Sequence, residues 1–255
     1  MIPIEDQSVF DWIARGRMQA SAHADDPAWP GITIRHLIPD VFEAYAKIFH
    51  RLDVHYENID NPLSEEEIAI LQIPACTSIC SLAEKVRRRN GGTRISWREV
   101  AAFFGFPFAP GLSYIWISRQ LAPTCWPRFI YGPGDGYLEA EEYTEIASLL
   151  LEEGYLPECF YRLAEIPFIA TDQQLLFQGE LTEVNSIPTR SNWNAPEYWW
   201  SPSNEWCLCS DYDLTFTFIG GTRSLVARIL NSPSLEAIEV QPDLRVDDFA
   251  PMPAL

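Results

Sequence analysis

Five short segments with the composition and alternation of β-strands lie in the C-terminal half of the chain, and they constrain the fold more than any other feature. They are found at residues 158–166, 173–179, 205–211, 214–220 and 235–240. One helical pattern, residues 222–230, interrupts them, whereas a parallel sheet would need a crossover helix between most pairs of strands. The sequence therefore predicts an α+β fold with a mostly antiparallel sheet and flanking helices.

Helical patterns with recognisable ends precede these strands and fill the middle of the chain. A serine followed three residues later by a glutamate, the spacing of an N-terminal capping box, occurs at Ser64 and Glu67 and again at Ser96 and Glu99. The predicted helices before the strand region lie within residues 8–18, 63–71, 80–94, 96–105, 111–121 and 137–154, and Gly91 marks the end of the third. Prolines and a glycine indicate a loop at residues 23–31. A helical segment in the middle of the chain is thus part of the predicted fold.

The N-terminal region and the division into domains are less fully specified. Residues 32–38 are β-branched and alternating, which favours a strand. Residues 41–52 fit either a helix or a strand, and the short Pro-Asp turn before them favours a β-hairpin. Because Gly and Pro are concentrated in residues 125–136, we expect a mixed α/β part over 1–130 and an acidic α+β part over 131–255, or one continuous domain.

Several of these segments together resemble a family of uncharacterised bacterial proteins. The resemblance is carried by LLFQGEL (175–181), APEYWWSPSNEWCLCSDYD (195–213) and IGGTRSLVARILNSPSLEAIEV (219–240), and also by VFEAYAKIFH and SWREVAAFFG. In that family a Trp-Trp-Pro-like run precedes a Trp-Cys strand, an acidic Asp-x-Asp turn, a Gly-Gly-Ser/Thr helix start and a Leu-Glu-Ala strand; here Ser201 separates Trp200 from the proline. The family has no established activity, so the resemblance implies a fold pattern and no mechanism.

The charge of the chain is negative and unevenly distributed. Residues 1–130 contain 15 Asp and Glu against 13 Lys and Arg, a balance of −2, whereas residues 131–255 contain 21 against 5, a balance of −16. Such an acidic half repels nucleic acid and anionic lipid and attracts a basic partner. No segment approaches the roughly 18 uninterrupted apolar residues of a membrane helix, and no signal peptide pattern is visible. We therefore expect a cytoplasmic protein that binds neither nucleic acid nor membrane.

Catalytic and metal-binding patterns are weak. The four histidines, His23, His36, His50 and His55, all precede residue 56, and no Gly-x-Ser-x-Gly nucleophile motif accompanies them. Cys76 with Cys80 and Cys207 with Cys209 are spaced by four and two residues, without the Cys-x-x-Cys knuckles typical of structural zinc sites. The sequence thus predicts no cofactor, no metal and reduced, mostly buried cysteines.

One segment, residues 205–222, has the residue types of an active site and also those of a structural joint. As a metal-assisted hydrolase it would use Glu205, Asp211 and Asp213. As a small-ligand site it would use aromatic side chains and an anion-binding helix start. These ligand-binding candidates are Trp199, Trp200, Trp206, Gly220, Gly221, Thr222 and Arg223. As a joint, the segment would contain a turn between two strands in which aspartate side chains accept backbone N–H groups.

The interpretation that fits most of these observations is a non-catalytic protein whose acidic half binds a basic protein partner. An inhibitor or an immunity-type protein directed against a basic toxin would have this character, because such pairs use complementary charge to associate quickly. A metal-assisted hydrolase and a small-ligand-binding protein remain the alternatives.

Overall fold

The computed structural model describes residues 1–17, 31–70, 73–88, 94–121, 126–164, 175–187 and 195–247. The chain divides into two compact units. Unit 1 comprises Met1–His50 and Gly134–Ala250, and the described part of unit 2 lies within Arg51–Pro133. Unit 1 contains 28 Asp and Glu against 9 Lys and Arg, a balance of −19, whereas residues 51–133 contain 8 against 9, a balance of +1. The acidic character therefore belongs to unit 1.

The described ranges contain both strands and helices. The strands are β1 (Ile2–Pro3), β2 (Ala44–Phe49), β3 (Leu52–Val54), β4 (Arg94–Ile95), β5 (Ile130–Tyr131), β6 (Glu158–Arg162), β7 (Leu176–Glu180), β8 (Tyr198–Trp200), β9 (Cys207–Cys209), β10 (Phe216–Gly221) and β11 (Ala237–Val240). The α-helices are α1 (Asp11–Gly16), α2 (Ile34–Leu37), α3 (Glu65–Ile70), α4 (Ile73–Arg87), α5 (Trp97–Phe104), α6 (Tyr114–Leu121), α7 (Ala140–Glu152) and α8 (Arg223–Asn231). Short 3-10 helices lie at Gln7–Phe10, Tyr56–Asn58 and Leu181–Ser186.

Unit 1 is built on an eight-stranded antiparallel sheet. The strand order is β1-β7-β6-β8-β9-β10-β2-β11, so β2 lies between β10 and β11, which are distant from it in sequence. Side chains alternate between the two faces of the sheet. One face packs with residues of α7 and α8, as Ile48, Leu208 and Ile219 do, and the other carries Tyr45 and Phe218. Both faces are covered, which explains why every residue of β2 is buried.

The predicted α+β class with a mostly antiparallel sheet is confirmed. All five predicted C-terminal strands are present, as β6, β7, β9, β10 and β11. The capping box at Ser96 and Glu99 is also present: the Glu99 N–H donates to Ser96 Oγ at 3.1 Å, and the Ser96 N–H donates to Glu99 Oε2 at 3.1 Å. Gly105, with φ of 76°, ends α5.

The strand predicted at residues 32–38 is wrong, and with it the hairpin predicted for residues 41–52. Extended pairing is limited to the start of the segment, where the Val246 N–H donates to the Ile32 carbonyl at 2.8 Å. The chain then forms α2. The Thr33 N–H donates to His36 Nδ1 at 3.0 Å at the start of this helix, and the helix buries Ile34. Residues 41–52 do contain a strand, β2, but its partners are β10 and β11.

Unit 2 contains a three-stranded antiparallel sheet and the middle helices. The strand order is β4-β3-β5, and the helices are α3, α4, α5 and α6. The sequence predicted a helix in each of these places, but α4 begins at Ile73, seven residues before the predicted start at residue 80. Its buried residues include Leu82, Trp97 and Ile117.

The sequence suggested a division near residue 130. In the structure, residues 1–50 belong instead to the acidic unit 1. The predicted loop at 23–31, apart from Gly31, and the predicted helix stop at Gly91 lie outside the described residues. No helix in the described part of the chain has the length and apolarity needed to cross a membrane.

Candidate functional site

The turn between β9 and β10 has the predicted structural role. The two strands pair antiparallel, with Phe218 opposite Cys209. Between them the Asp213 N–H donates to Asp211 Oδ1 at 3.0 Å, and the Leu214 N–H donates to the Asp211 carbonyl at 3.0 Å. This is the Asx-turn arrangement, in which a short side-chain acceptor replaces a backbone one. The prediction of a turn joining two strands is therefore confirmed, but among the described contacts the side-chain acceptor is Asp211 and not Asp213.

Glu205 lies at the other end of β9 from these aspartates. The Glu205 N–H donates to Ser201 Oγ at 2.7 Å, its carboxylate accepts from the Ser203 hydroxyl, and Asn204 has a positive φ of 62°. These contacts form the turn between β8 and β9. The whole strand β9 therefore separates Glu205 from Asp211 and Asp213, and no group of three or more metal-ligating side chains is found within the described ranges.

The three described tryptophans of the predicted ligand site are core residues. Trp199, Trp200 and Trp206 are fully buried. Trp199 packs against Trp206, with ring centroids 5.4 Å apart, and the indole N–H groups of Trp200 and Trp206 have no hydrogen-bond partner among the described residues. A sugar or planar ligand stacks on exposed rings, so these residues act here as apolar packing.

The glycines at the end of β10 serve close packing. Neither Gly220 nor Gly221 has a positive φ, and both lie within the extended strand β10. A Cβ at Gly220 would lie 2.3 Å from the Phe42 ring, and one at Gly221 would lie 2.7 Å from Leu225 Cδ2. The Phe42 ring therefore approaches Gly220 too closely for a residue with a Cβ, whereas at Gly221 the Leu225 methyl group would have to shift.

The start of α8 is capped by a threonine side chain and faces a carboxylate of the same chain. Thr222 is the N-cap, and its Oγ1 accepts the Leu225 N–H at 3.2 Å. The Arg223 N–H donates to Glu43 Oε2 at 3.2 Å. Because this carboxylate takes a position that a phosphate would use, the helix start gives no support to a nucleotide or phosphate site.

The described cysteines are free thiols. Cys159, Cys207 and Cys209 are buried, and Cys80 is exposed. Burial raises the pKa of Cys207 and of Cys209 well above the ordinary thiol value. These thiols stay protonated at neutral pH. The side chain of Cys76 and all of Cys125 lie outside the described residues.

A surface that the sequence did not predict forms where the loop after residue 133 meets the β9–β10 turn. The Gly136 N–H donates to the Leu214 carbonyl at 2.8 Å, and a Cβ at Gly136 would lie 2.6 Å from Tyr212 Cα. Gly136 also has a φ of 74°, so both its conformation and this contact require glycine. The two loops contribute carboxylates and exposed tyrosines, which together we name the acidic surface: Asp135, Tyr137, Asp211, Tyr212 and Asp213.

The carboxylates of the acidic surface lie close enough to repel one another and to raise the pKa values of neighbouring groups. Partial burial and the Asp213 charge both raise the pKa of Asp135. Burial raises the pKa of Asp211, and the Asp213 charge adds to this. The Asp213 charge is also the main cause that raises the pKa of Tyr212. Within the described ranges neither Asp135 nor Asp213 forms an ion pair, so this surface is electrostatically complementary to a cation.

Buried polar residues lie close to the acidic surface. His50, Ser210 and Thr217 are all almost fully buried. His50 Nε2 lies 2.9 Å from Thr217 Oγ1, which lies 2.6 Å from Ser210 Oγ. On β2, Lys47 is also buried, with its ammonium 3.9 Å from the centroid of the Phe216 ring.

Sequence reasoning missed Asp135, Tyr137, Lys47 and His50. The Gly-Pro-Gly-Asp-Gly run at 132–136 was visible, and a loop this rich in glycine with an acid and a following tyrosine could have suggested a binding loop. A lysine inside an otherwise apolar strand was a second signal. Comparison of the chain with protein-family models, with curated proteins and with solved structures finds no match in any of the three.

The roles of the two aspartates in the turn predict different costs of substitution. We expect Asp211→Ala to lower the free energy of unfolding by about 0.5–2 kcal/mol, because it removes the side-chain acceptor of the turn. Asp211→Asn keeps an acceptor oxygen and should cost less than about 1 kcal/mol. Asp213→Ala and Asp213→Asn should be close to neutral, since only the backbone of Asp213 takes part in the turn. Urea unfolding of the four variants measures this; an Asp213→Ala cost equal to that of Asp211→Ala would contradict it.

Proposed function

We propose that this protein is a non-catalytic binding protein for a basic protein partner, and that unit 1 makes the contact. The observation that carries the proposal is the charge of unit 1, −19 against +1 for residues 51–133. A net charge of this size speeds association with a partner of opposite sign and disfavours nucleic acid. An inhibitor or an immunity-type protein is the kind of molecule that uses such a surface.

Within unit 1 the acidic surface is the part that fits a basic partner best. Asp135 and Asp213 are exposed and lack an ion pair among the described residues. Tyr137 and Tyr212 are 39% and 36% exposed, and tyrosine contributes large contact area at low entropic cost in protein interfaces. An arginine or lysine of a partner would relieve the repulsion between the carboxylates and pack its aliphatic stem on the rings.

The candidate residues for other functions support the binding proposal indirectly. The three carboxylates of a metal-assisted hydrolase are divided between the two ends of β9, and the tryptophans proposed for a small ligand are in the core. Within residues 205–222 the acidic surface contributes Tyr212 and Asp213, which are exposed and therefore accessible to a partner.

The test begins with capture of partners from the source cell on immobilised protein, followed by affinity measurement with each purified partner at rising salt. Between about 50 and 300 mM salt we expect the affinity to fall about tenfold or more, because salt screens exposed charges. An affinity that stays constant over this range would count against an electrostatic partner.

A pair of matched double variants locates the contact. Asp135→Asn with Asp213→Asn removes two charges from the acidic surface. Glu141→Gln with Glu239→Gln removes two exposed charges elsewhere in unit 1. We expect the first to weaken binding about three- to tenfold and the second by less than about twofold. Equal effects would show that total charge matters and that this surface is not the contact.

A further inference from the structure

His50 and Gly134 are the two residues at which the chain leaves unit 1 and returns to it, and a hydrogen bond joins them. His50 Nδ1 lies 2.6 Å from the Gly134 carbonyl oxygen. A carbonyl only accepts, so Nδ1 carries the proton. The side chain of His50 thereby holds residue 134 beside the end of β2, although 84 positions separate the two residues in sequence.

The other ring nitrogen fixes the protonation state of this contact. In the neutral imidazole Nε2 is an acceptor, and it receives the Thr217 hydroxyl hydrogen at 2.9 Å. The Thr217 oxygen then accepts from the Ser210 hydroxyl at 2.6 Å. A protonated imidazole has donors on both nitrogens, so both hydroxyls would have to reverse their hydrogen bonds inside the core.

The loop that follows Gly134 depends on this contact and on two others. We name residues 134–138 the Gly134 loop. The Gly136 N–H donates to the Leu214 carbonyl at 2.8 Å, and the Leu138 N–H donates to the Tyr143 hydroxyl at 3.4 Å. The bond to His50 is at the start of the loop, and the loop carries Asp135 and Tyr137 of the acidic surface.

We propose that His50 is a pH-sensitive latch, whose neutral imidazole holds the Gly134 loop on the sheet and whose protonation releases it. Release of the loop separates Asp135 and Tyr137 from Tyr212 and Asp213 and so disassembles the acidic surface. The latch stands independently of the proposed function; only its consequence for partner binding rests on that proposal.

Burial is the main reason why the latched state disfavours a charged imidazole. It lowers the pKa of His50 to about 4; the bond to the Gly134 carbonyl opposes this shift and the charge of Lys47 adds to it. A released His50 in water returns to the ordinary value of about 6.5. Protons therefore bind the released state more tightly, and the latch weakens as the pH falls from about 6.5 towards 4.

Other titratable groups on the adjoining loops and strands face this region: Lys47, Asp135, Tyr143, Asp211, Tyr212 and Asp213. Lys47, whose pKa is about 7, takes up a proton as the pH falls, whereas the pKa values of Tyr143 and Tyr212 are raised and both tyrosines stay protonated throughout. Protonation of Asp135 and Asp211, whose pKa values are raised, would relieve the repulsion between the carboxylates, which acts against release. A variant that changes only the imidazole separates these contributions.

Hydrogen exchange of the Gly136 amide, measured on the full chain and corrected for the intrinsic pH dependence of exchange, tests the latch. The Leu181 amide, which donates to the Pro157 carbonyl at 2.7 Å in another part of unit 1, is the internal reference. From pH 7 to pH 5 we expect the opening equilibrium at Gly136 to increase about 20-fold, as a shift from 6.5 to about 4 requires. Leu181 should change much less.

Two variants complete the test. Gln at position 50 has an amide N–H for Gly134 and an oxygen for Thr217 and does not titrate, so His50→Gln should keep Gly136 protected at both pH values. His50→Ala should leave Gly136 weakly protected at both. The proposal would be overturned if the Gly136 and Leu181 amides of the parent protein lost protection from exchange equally as the pH falls, or if Gly136 in His50→Gln kept the pH dependence of the parent. If a variant does not fold, the measurement on the parent protein alone decides.

Discussion

Lys47→Met is expected to raise the free energy of unfolding at pH 7 by about 2–4 kcal/mol. Burial lowers the pKa of Lys47 to about 7 in the folded protein, against 10.5 in the unfolded chain. Each unit of difference corresponds to about 1.4 kcal/mol, which gives an upper limit of about 5 kcal/mol. The ammonium lies 3.9 Å and 4.7 Å from the centroids of the Phe216 and Phe49 rings, and these cation–π contacts recover part of that amount.

The sign of the pH dependence follows from the same two values. Between pH 7 and 10.5 the unfolded chain binds a proton at Lys47 that the folded protein lacks, so stability rises with pH in this window. Below pH 7 both states are charged and the full penalty of burial is present. The advantage of the Met variant is therefore largest at pH 7 and below, and it decreases as the pH approaches 10.5.

Urea unfolding of the parent and the variant at pH 6, 7, 8 and 9 measures the effect. Lys85 is the only other lysine of the chain and is exposed, so Lys85→Met is the matched control and should change stability by less than about 0.5 kcal/mol. A Lys47→Met variant less stable than the parent at pH 6 would show that the ammonium makes a net favourable contribution where it is buried.

Trp199→Ala is expected to lower the free energy of unfolding by about 3–5 kcal/mol, the range for truncation of a large buried aromatic residue. Trp199 is fully buried between the sheet and its helices. Its ring centroid lies 5.7 Å from that of the stacked Tyr161 ring and 5.4 Å from that of the Trp206 ring. The cavity left by truncation would lie at the centre of the sheet, where the backbone cannot collapse to fill it.

Thermal or urea unfolding again measures this prediction, and two comparisons sharpen it. Trp199→Phe keeps an aromatic ring and should cost less than half as much. Tyr212→Ala removes an aromatic side chain that is 36% exposed and should cost about 1 kcal/mol or less. If Trp199→Ala had the stability of the parent and lost binding of a small molecule, the ligand-site interpretation of the tryptophans would be correct.

Alternation and capping were sufficient to locate most strands and helices, because both signals are local in sequence. Residues 32–38 show where they fail: the segment has strand composition, but a tertiary contact with residues 244–246 and a local cap at Thr33 turn it into α2. β8 was missed because a run of three adjacent aromatic residues, Tyr198–Trp200, has no polar alternation when both faces of a sheet are buried.

The candidate site was harder to predict, because its parts are distant in sequence. The Asx turn at Asp211 depends on neighbours two residues away, and the sequence indicated it. The contact of His50 with Gly134 joins residues 84 positions apart, and the contact of Gly136 with Leu214 spans a comparable distance. Such long-range contacts leave no periodic pattern in the sequence, so Asp135 and Asp213 could not be placed together before the topology was known.

The position of β2 in the sheet has a consequence for the order in which the chain can fold during synthesis. β2 ends at residue 49, but its partners β10 and β11 begin at residues 216 and 237. At about 5–20 residues per second, the ribosome needs on the order of 10–30 s to make the intervening chain. During that time the apolar β2 segment lacks its partner strands, while residues 51–133 are synthesised after it. Lys47 is the only charged residue within β2, and a charge inside such a strand discourages its pairing with other unfinished chains.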